Sequence, residues 1–381
     1  MKLLKVSSKV FDISYLSIDS IQEGVGASQI IPLVKALSNE GKSVSLTTCE
    51  KSTPPNSLKL ELSHACVDWT ILKYGKNGAF HGLLRLIKLF WYMPRASIIH
   101  ARSDIPTVAA VLRFPFGNIL WDVRSLWADQ RKIINSKGWN RATVGAARQL
   151  ERIAASKSTA MVTLTRAVIP VLEKRYKNLP IIREVIPTCT QLDKFQLSLM
   201  PEWPLICLLP GTFNNFYDMD RMRLVISELR KLSPLQVIWA KPKESTTKAL
   251  NVGEDSITTL PYEEMPIIVG DSHFGLIICK NDNLEALTAV APTKVAEFLA
   301  SGRPVLVSEG IGDLEFLVKL YRVGVVIESN TDLSPSLLRF MELLKDPEIH
   351  IRCRKLAEEM FSMDSAIEKY NLIYRKMALN E

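Results

Sequence analysis

The chain carries few of the features that would place it outside the cytosol or within a membrane. Its longest apolar run, Gly82 to Met93, is broken by Arg85 and Lys88, too charged for a membrane-spanning helix. The first nine residues have no apolar middle of the kind a secretory signal needs, so a cytoplasmic protein is expected. The six cysteines (Cys49, Cys66, Cys189, Cys207, Cys279 and Cys353) show no CxxC spacing, and several fall in apolar, strand-like contexts. Buried thiols are expected, not a disulfide framework or a zinc site. There is no repeat, no low-complexity tract and no clustered acid or histidine motif for a metal. What is present is 381 residues of 47% hydrophobic content, ample for two cores, and a formal charge of +8. That charge implies anionic partners such as nucleotides or phospholipids, and the dispersed cations follow no pattern for binding nucleic acid.

From Phe11 onward, short β-rich runs alternate with helical patterns, which predicts an α/β protein of parallel sheets covered on both faces. Expected strands are 11–18, 43–48, 97–101, 118–123, 160–164 and 184–186. After a Pro-rich stretch at 201–204 come 205–209, 236–239, 256–260, 274–279, 305–308 and 323–327. Two Rossmann-like domains follow, residues 1–196 and 197–363, with a linker around Pro187 to Pro204. In such folds ligands lie outside the carboxyl ends of the strands, so the expected site is the interdomain cleft.

The most informative segment runs from Ala291 to Ser308, a helix followed by a buried strand. At about 100° per residue, Thr293, Lys294, Glu297 and Ser301 share one arc, while Val295, Ala296, Phe298, Leu299 and Ala300 fill the rest. Pro292 and Thr293 start the helix and Gly302 ends it, so its N-terminal amides suit an anion such as a diphosphate. Glu297, one turn on, is placed to accept hydrogen bonds from a ribose diol. An ordinary amphipathic helix with solvated Lys and Glu is the competing reading.

Near the N-terminus, residues 24–29 read Gly-Val-Gly-Ala-Ser-Gln before a helix. Gly24 and Gly26 let backbone amides approach a phosphate or sugar hydroxyl, and Ser28 is the expected cap. As a dinucleotide fingerprint the run is incomplete, because Gln29 holds the third glycine position, although Glu50 falls where a ribose-binding acid would. Arg102, Asp122, Arg124 and Asp129 cluster after strand ends, either orienting donor sugar and acceptor or forming an ion-pair frame. Trp127 is a stacking platform or a core aromatic, and His100 a catalytic or a buried, satisfied histidine. Asp218 and Asp220 spell DxD, but they open a helix where acids suit the dipole. In 80–93, His81, Arg85 and Lys88 share one helical side and Leu83, Leu86, Ile87 and Phe90 the other. This is either a basic face that touches anionic lipid or a crossover helix with its apolar side in the core.

Together these pieces resemble the retaining glycosyltransferases of family 4, of the two-domain GT-B fold, over nearly the whole chain. The resemblance rests on Gly24 to Gln29, Val185 to Thr188 with Asp193 and Phe195, Pro261 to Glu264, and above all Pro292 to Val305. It is closest to bacterial cell-surface polysaccharide enzymes, a subgroup that pairs His100 to Ser103 with Asp122 to Asp129 and with the Gly211 to Tyr217 turn. The resemblance implies transfer of a sugar, of hexosyl type, from a nucleotide diphosphate sugar to a hydroxyl of a glycan or lipid-linked acceptor. The anomeric configuration would be kept and no metal used, in work such as lipopolysaccharide assembly at the inner face of the cell membrane. The last helix, about 364–381, would pack back on the N-terminal domain.

By the same resemblance, Lys280, Lys294, Arg124 and Asp122 carry catalysis. Gly24, Gly26, Asn214, Phe216, Lys241, Pro261, Tyr262, Pro292, Thr293 and Glu297 bind the donor, while Ser28, Arg102, Trp127 and Asp129 face the acceptor. Two departures stand out. The first of two glutamates spaced eight apart is replaced by Ala289, and the usual Gly-Arg and Lys after the first strand of the second domain become Gly211, Thr212 and Asn214. Lys280, Lys294 and Lys241 are then the cations left to neutralise phosphate. A sugar-nucleotide epimerase or hydrolase on the same architecture, or an inactive nucleotide-sugar-binding scaffold, are the competing functions.

Overall fold

The computed structural model describes residues 9–22, 24, 26–133, 141–213, 216–242, 255–281, 283–329 and 331–379. Seven strands form the first sheet: β1 (Phe11–Leu16), β2 (Val44–Glu50), β3 (Val67–Lys73), β4 (Ala96–Arg102), β5 (Asn118–Val123), β6 (Ala160–Thr163) and β7 (Ile182–Val185). All pairings are parallel, in the order β3-β2-β1-β4-β5-β6-β7. Six form the second: β8 (Leu205–Pro210), β9 (Leu235–Pro242), β10 (Ser256–Leu260), β11 (Phe274–Ile277), β12 (Val305–Ser308) and β13 (Gly324–Ile327). They are again parallel, in the order β10-β9-β8-β11-β12-β13. Strand order reverses beside β1 in the first sheet and beside β8 in the second, and such switch points open a crevice at the carboxyl ends.

The central strands are buried on both faces: all seven residues of β2 are buried, as are all four of β11 and of β12. That is why they read as continuous apolar runs. β3 has no counterpart among the expected strands. It is a sheet edge with only Val67 and Leu72 buried, and Asp68 and Thr70 interrupt its hydrophobic signal. The helix Met363–Ala378 returns to the first sheet, where Met363, Ile367, Tyr370 and Tyr374 join Ile13, Tyr15, Leu120 and Val162 in one core cluster. All six cysteines are free, five buried and Cys66 exposed in a left-handed turn (φ 55°).

The two halves meet through loops at the carboxyl ends of both sheets. The Thr188 hydroxyl donates to the Ala291 carbonyl and that of Thr165 to the Thr288 carbonyl. Asp313 accepts from the amides of Arg166 (2.6 Å) and Ala167 (2.8 Å). Arg175 pairs with Glu285 across the same seam. Gln29 makes a two-point amide contact with the linker, donating to the Cys189 carbonyl (2.7 Å) and accepting from its N–H (3.2 Å).

Candidate active site

In the second sheet the strand ends are aligned by backbone hydrogen bonds. Gly211 N–H, just past β8, donates to the Ala240 carbonyl of β9 (2.8 Å), and Lys241 pairs in register with Thr259 of β10. Past β11 the chain pairs with the turn after β8: Lys280 N–H donates to the Phe216 carbonyl and Asp218 N–H to the Ile278 carbonyl, both at 3.0 Å. Gly211, Phe216, Lys241, Pro261, Tyr262 and Lys280 therefore share one rim, with the start of the helix Thr293–Ala300 beside them. Asn214 lies outside the described residues.

Lys294 projects from the first turn of that helix over Gly211. A Cβ at Gly211 would meet its Nζ, a contact the flexible lysine could yield; it is the positive φ of 148° that favours glycine beneath this ammonium. The Nζ also sits 4.2 Å from the centroid of the Tyr217 ring, a cation–π contact. No carboxylate among the described residues lies within ion-pair distance of Lys294 or Lys280. Glu297 stands one turn further along, where the arc runs from the half-buried Thr293 and Lys294 into the interior. Glu297 is buried, Ser301 fully so, and Tyr262 Oη donates to Glu297 Oε1 at 3.1 Å. Burial raises the Glu297 carboxyl to about pH 7, against the hydrogen bond from Tyr262 and the charge of Lys294. The Tyr262 hydroxyl is pushed well upward by burial and by the Glu297 charge.

The Arg of Gly302-Arg303-Pro304, in the most specific motif, is fully buried and structural. Its guanidinium donates to the carbonyls of Ser198, Leu199 and Gly270 and to Ser198 Oγ, tying the linker to the second sheet. Asp218 caps the helix Met219–Leu232, accepting from Arg221 N–H at 2.9 Å, and Asp220 pairs with Arg223 at 3.0 Å. Among the described residues no three His, Cys, Asp or Glu are grouped to hold a metal ion.

On the facing side, Arg102 and Asp122 are neighbours in register at the ends of β4 and β5. Asp122 is fully buried; Arg124 (3.3 Å) and His100 (3.2 Å) hold its carboxyl near pH 2, against burial, which acts upward. His100 is equally buried and burial lowers its pKa, so the neutral ring donates from Nε2 to Asp122 and accepts at Nδ1 from Tyr374 Oη (2.7 Å). His100 is thus the satisfied, buried histidine. Arg102 binds Asp19 at 3.1 Å. Arg102 Nη1 and Arg124 Nε are buried donors with no acceptor among the described residues, an expensive arrangement unless something else supplies one.

Three polar residues of the first half are engaged or buried within the fold. Asp129 is buried in an ion network with Arg148 (2.7 Å) and Arg175 (3.1 Å), shared with buried Glu151, so the ion-pair frame describes it. Ser28 is not a cap: the helix begins earlier as a π-turn, Gly26–Ile30, and Ser28 is buried within it. Gly26 allows this because a Cβ there would strike the Ser20 carbonyl, while Gly24 is exposed at φ 54°. Glu50 holds no open position either; it accepts from Ser20 (2.5 Å), Ile21 N–H (3.1 Å), Gln22 (2.9 Å) and Thr48 (2.6 Å). Trp127 is half-buried with Arg131 over its ring at 5.7 Å. Sequence reasoning passed over Tyr217 and Tyr374, whose roles depend on a turn and a returning helix.

No family model and no curated protein matches the sequence. Solved structures do match. The chain is similar to a sucrose-phosphate synthase from Thermosynechococcus elongatus (TM-score 0.70, 14% identity, covering 97% of this chain and 99% of that one). It is similar to HepE of Anabaena, solved with UDP and glucose (TM-score 0.66, 11% identity, 96% and 100%). A third is WaaG, a glycosyltransferase involved in lipopolysaccharide biosynthesis (TM-score 0.63, 12% identity, 93% and 98%). With parallel sheets of seven and six strands and end-to-end correspondence to these structures, the chain has the GT-B fold.

Proposed function

We propose that this chain is a retaining glycosyltransferase. It would move a hexosyl unit from a nucleotide diphosphate sugar to a hydroxyl of a glycan or lipid-linked acceptor, in bacterial surface polysaccharide synthesis in the cytoplasm. The observation that carries the reading is the pair Lys280, just past the end of β11, and Lys294, in the first turn of the helix Thr293–Ala300, ammoniums with no carboxylate partner among the described residues. Their rim, with a helix N-terminus at Thr293 and a buried glutamate one turn on, suits a diphosphate and a ribose. Charge grows on the departing diphosphate as the glycosidic bond breaks; Lys294, Lys280 and the helix amides stabilise it, so no metal is required. A leaving phosphate oxygen then takes the acceptor proton. Across the cleft Arg124 and Arg102, held by Asp122 and Asp19, would orient the transferred sugar or acceptor.

The test is a thermal-shift panel of nucleoside diphosphate sugars, followed by turnover. A true donor at about 100 times its Kd should add about 2.7 kcal/mol of stability. Lys294→Ala should cut turnover about 10² to 10³-fold while changing donor affinity far less, Lys294→Arg should retain more, and chelator should leave the rate unchanged. Donor binding with no transfer would leave only a scaffold, and rapid donor loss without acceptor would indicate a hydrolase.

A further inference from the structure

The helix Ala79–Tyr92 turns only part of its apolar side inward: Leu86 packs on the core, while Leu83 and Ile87 are exposed. Its buried side carries Gly82, Arg85 and Leu89. Arg85 is satisfied there, donating to the carbonyls of Tyr74 (3.2 Å) and Lys76 (3.1 Å) and stacking on the Tyr74 ring at 4.1 Å. The outward side is left to Phe80 (68% exposed), Leu83 (54%), Ile87 (42%) and Trp91 (59%), one stripe at helical spacing. The neighbouring helix Asp104–Arg113 packs against this one and adds the exposed Leu112 (56%), with Arg113 over the Phe90 ring at 5.5 Å. Contiguous exposed apolar surface of this kind marks a docking face.

The charge around it selects the occupant. Between Asp68 and Asp104 there is no acidic residue, while Lys73, Lys76, Lys88 and Arg95 bring positive charge to the surface, Arg85 and Arg102 being buried. Lys73, Lys76 and Arg95 are exposed beside the stripe, and Lys88 flanks it. Trp91 and Tyr92 at the end of the helix are the side chains that favour a lipid–water boundary. We infer that this helix face is a docking surface for an anionic lipid bilayer, with the helix lying in the interface plane and the chain remaining peripheral. In a parallel sheet the helix after β3 begins on the carboxyl-end side, so its Phe80 end is on the cleft side and Trp91 points away. A chain held this way has its cleft mouth next to the lipid surface. The docking does not depend on which reaction the cleft performs.

The test is co-sedimentation of the full chain with vesicles of phosphatidylcholine alone or with about one third phosphatidylglycerol. Partition should be at least about tenfold stronger on the anionic vesicles and should weaken as salt is raised. Leu83→Glu/Ile87→Glu should bring it down to the neutral-vesicle level, and Lys73→Glu/Lys76→Glu should lower it several-fold. These side chains are exposed, and unchanged circular dichroism and Tm would show that both variants fold. Equal binding to the two vesicle types, or a Leu83→Glu/Ile87→Glu variant within about twofold of the parent, would overturn the assignment. So would a dimer in light scattering that Leu83→Glu/Ile87→Glu abolishes, since the stripe would then belong to a second copy.

Discussion

Glu297 ionises near pH 4.5 when free of the fold and near pH 7 beneath Tyr262, with burial as the main cause. Between those values the unfolded chain releases a proton that the folded chain keeps. The folded state therefore loses stability as pH rises from 4.5 to 7 and stays lowered above that. Glu297→Gln keeps an acceptor for Tyr262 and removes the ionisation. The variant should be more stable than the parent at pH 8 by about 1–3 kcal/mol, with no difference at pH 4.5, read from thermal melts. If Glu297 accepts from the donor ribose, calorimetry should show donor binding weakened at least about tenfold at the same time. A gain in stability of equal size at both pH values would remove the buried-carboxylate account.

At the scale of elements, the helices Trp127–Ile133, Arg141–Lys157 and Ile169–Arg175 are joined by charge, not by apolar contact alone. Asp129 and Glu151 share Arg148 and Arg175, and Tyr176 Oη donates to Glu151 at 2.6 Å. Nearby Asp104, bonded to Trp121 Nε1 at 3.1 Å, is driven up to about pH 8 by burial and by the Glu151 charge. Breaking such a cluster strands a buried charge. Asp129→Ala should cost about 3–5 kcal/mol. Glu285→Ala, at the half-exposed outer end of the same chain of contacts, should stay within about 1 kcal/mol. Chemical denaturation of the two variants distinguishes this frame from an acceptor contact, which would change KM for acceptor and leave stability near that of the parent.

Over the whole molecule, the seam between the halves accounts for the missing first glutamate of the second domain. Ala289 is buried in one cluster with Trp121, Leu126, Val168 and Leu172, all from the first half. A carboxylate there would be desolvated among apolar side chains and would enlarge a packed contact. Ala289→Glu, although it restores the pattern of the resembling family, should lower Tm and increase the radius of gyration in small-angle scattering as the halves separate. A variant with unchanged Tm and higher turnover would show that the position belongs to the donor site instead.

Much of this was legible along the chain. The buried strands announce themselves because a parallel sheet covered on both faces needs unbroken apolar runs, and the segment from Pro292 to Val305 carries its start, stop and core face in local chemistry. The pairing of Lys294 with Gly211 joins residues far apart in sequence, and only the strand order β9-β8-β11 brings them together. Periodicity left open which way the helix Ala79–Tyr92 turns, because Leu, Ile, Phe and Trp surround it almost completely. Arg85 decides it by finding its acceptors, the Tyr74 and Lys76 carbonyls, in the loop before the helix. Glu50, at the end of β2, and Asp129, in the first turn of the helix after β5, have the residue type and place of ligand-binding acids, yet the fold surrounds each with its own donors. Local sequence sets what a side chain can bond to; whether those bonds are already made within the protein is settled by which distant elements pack against it.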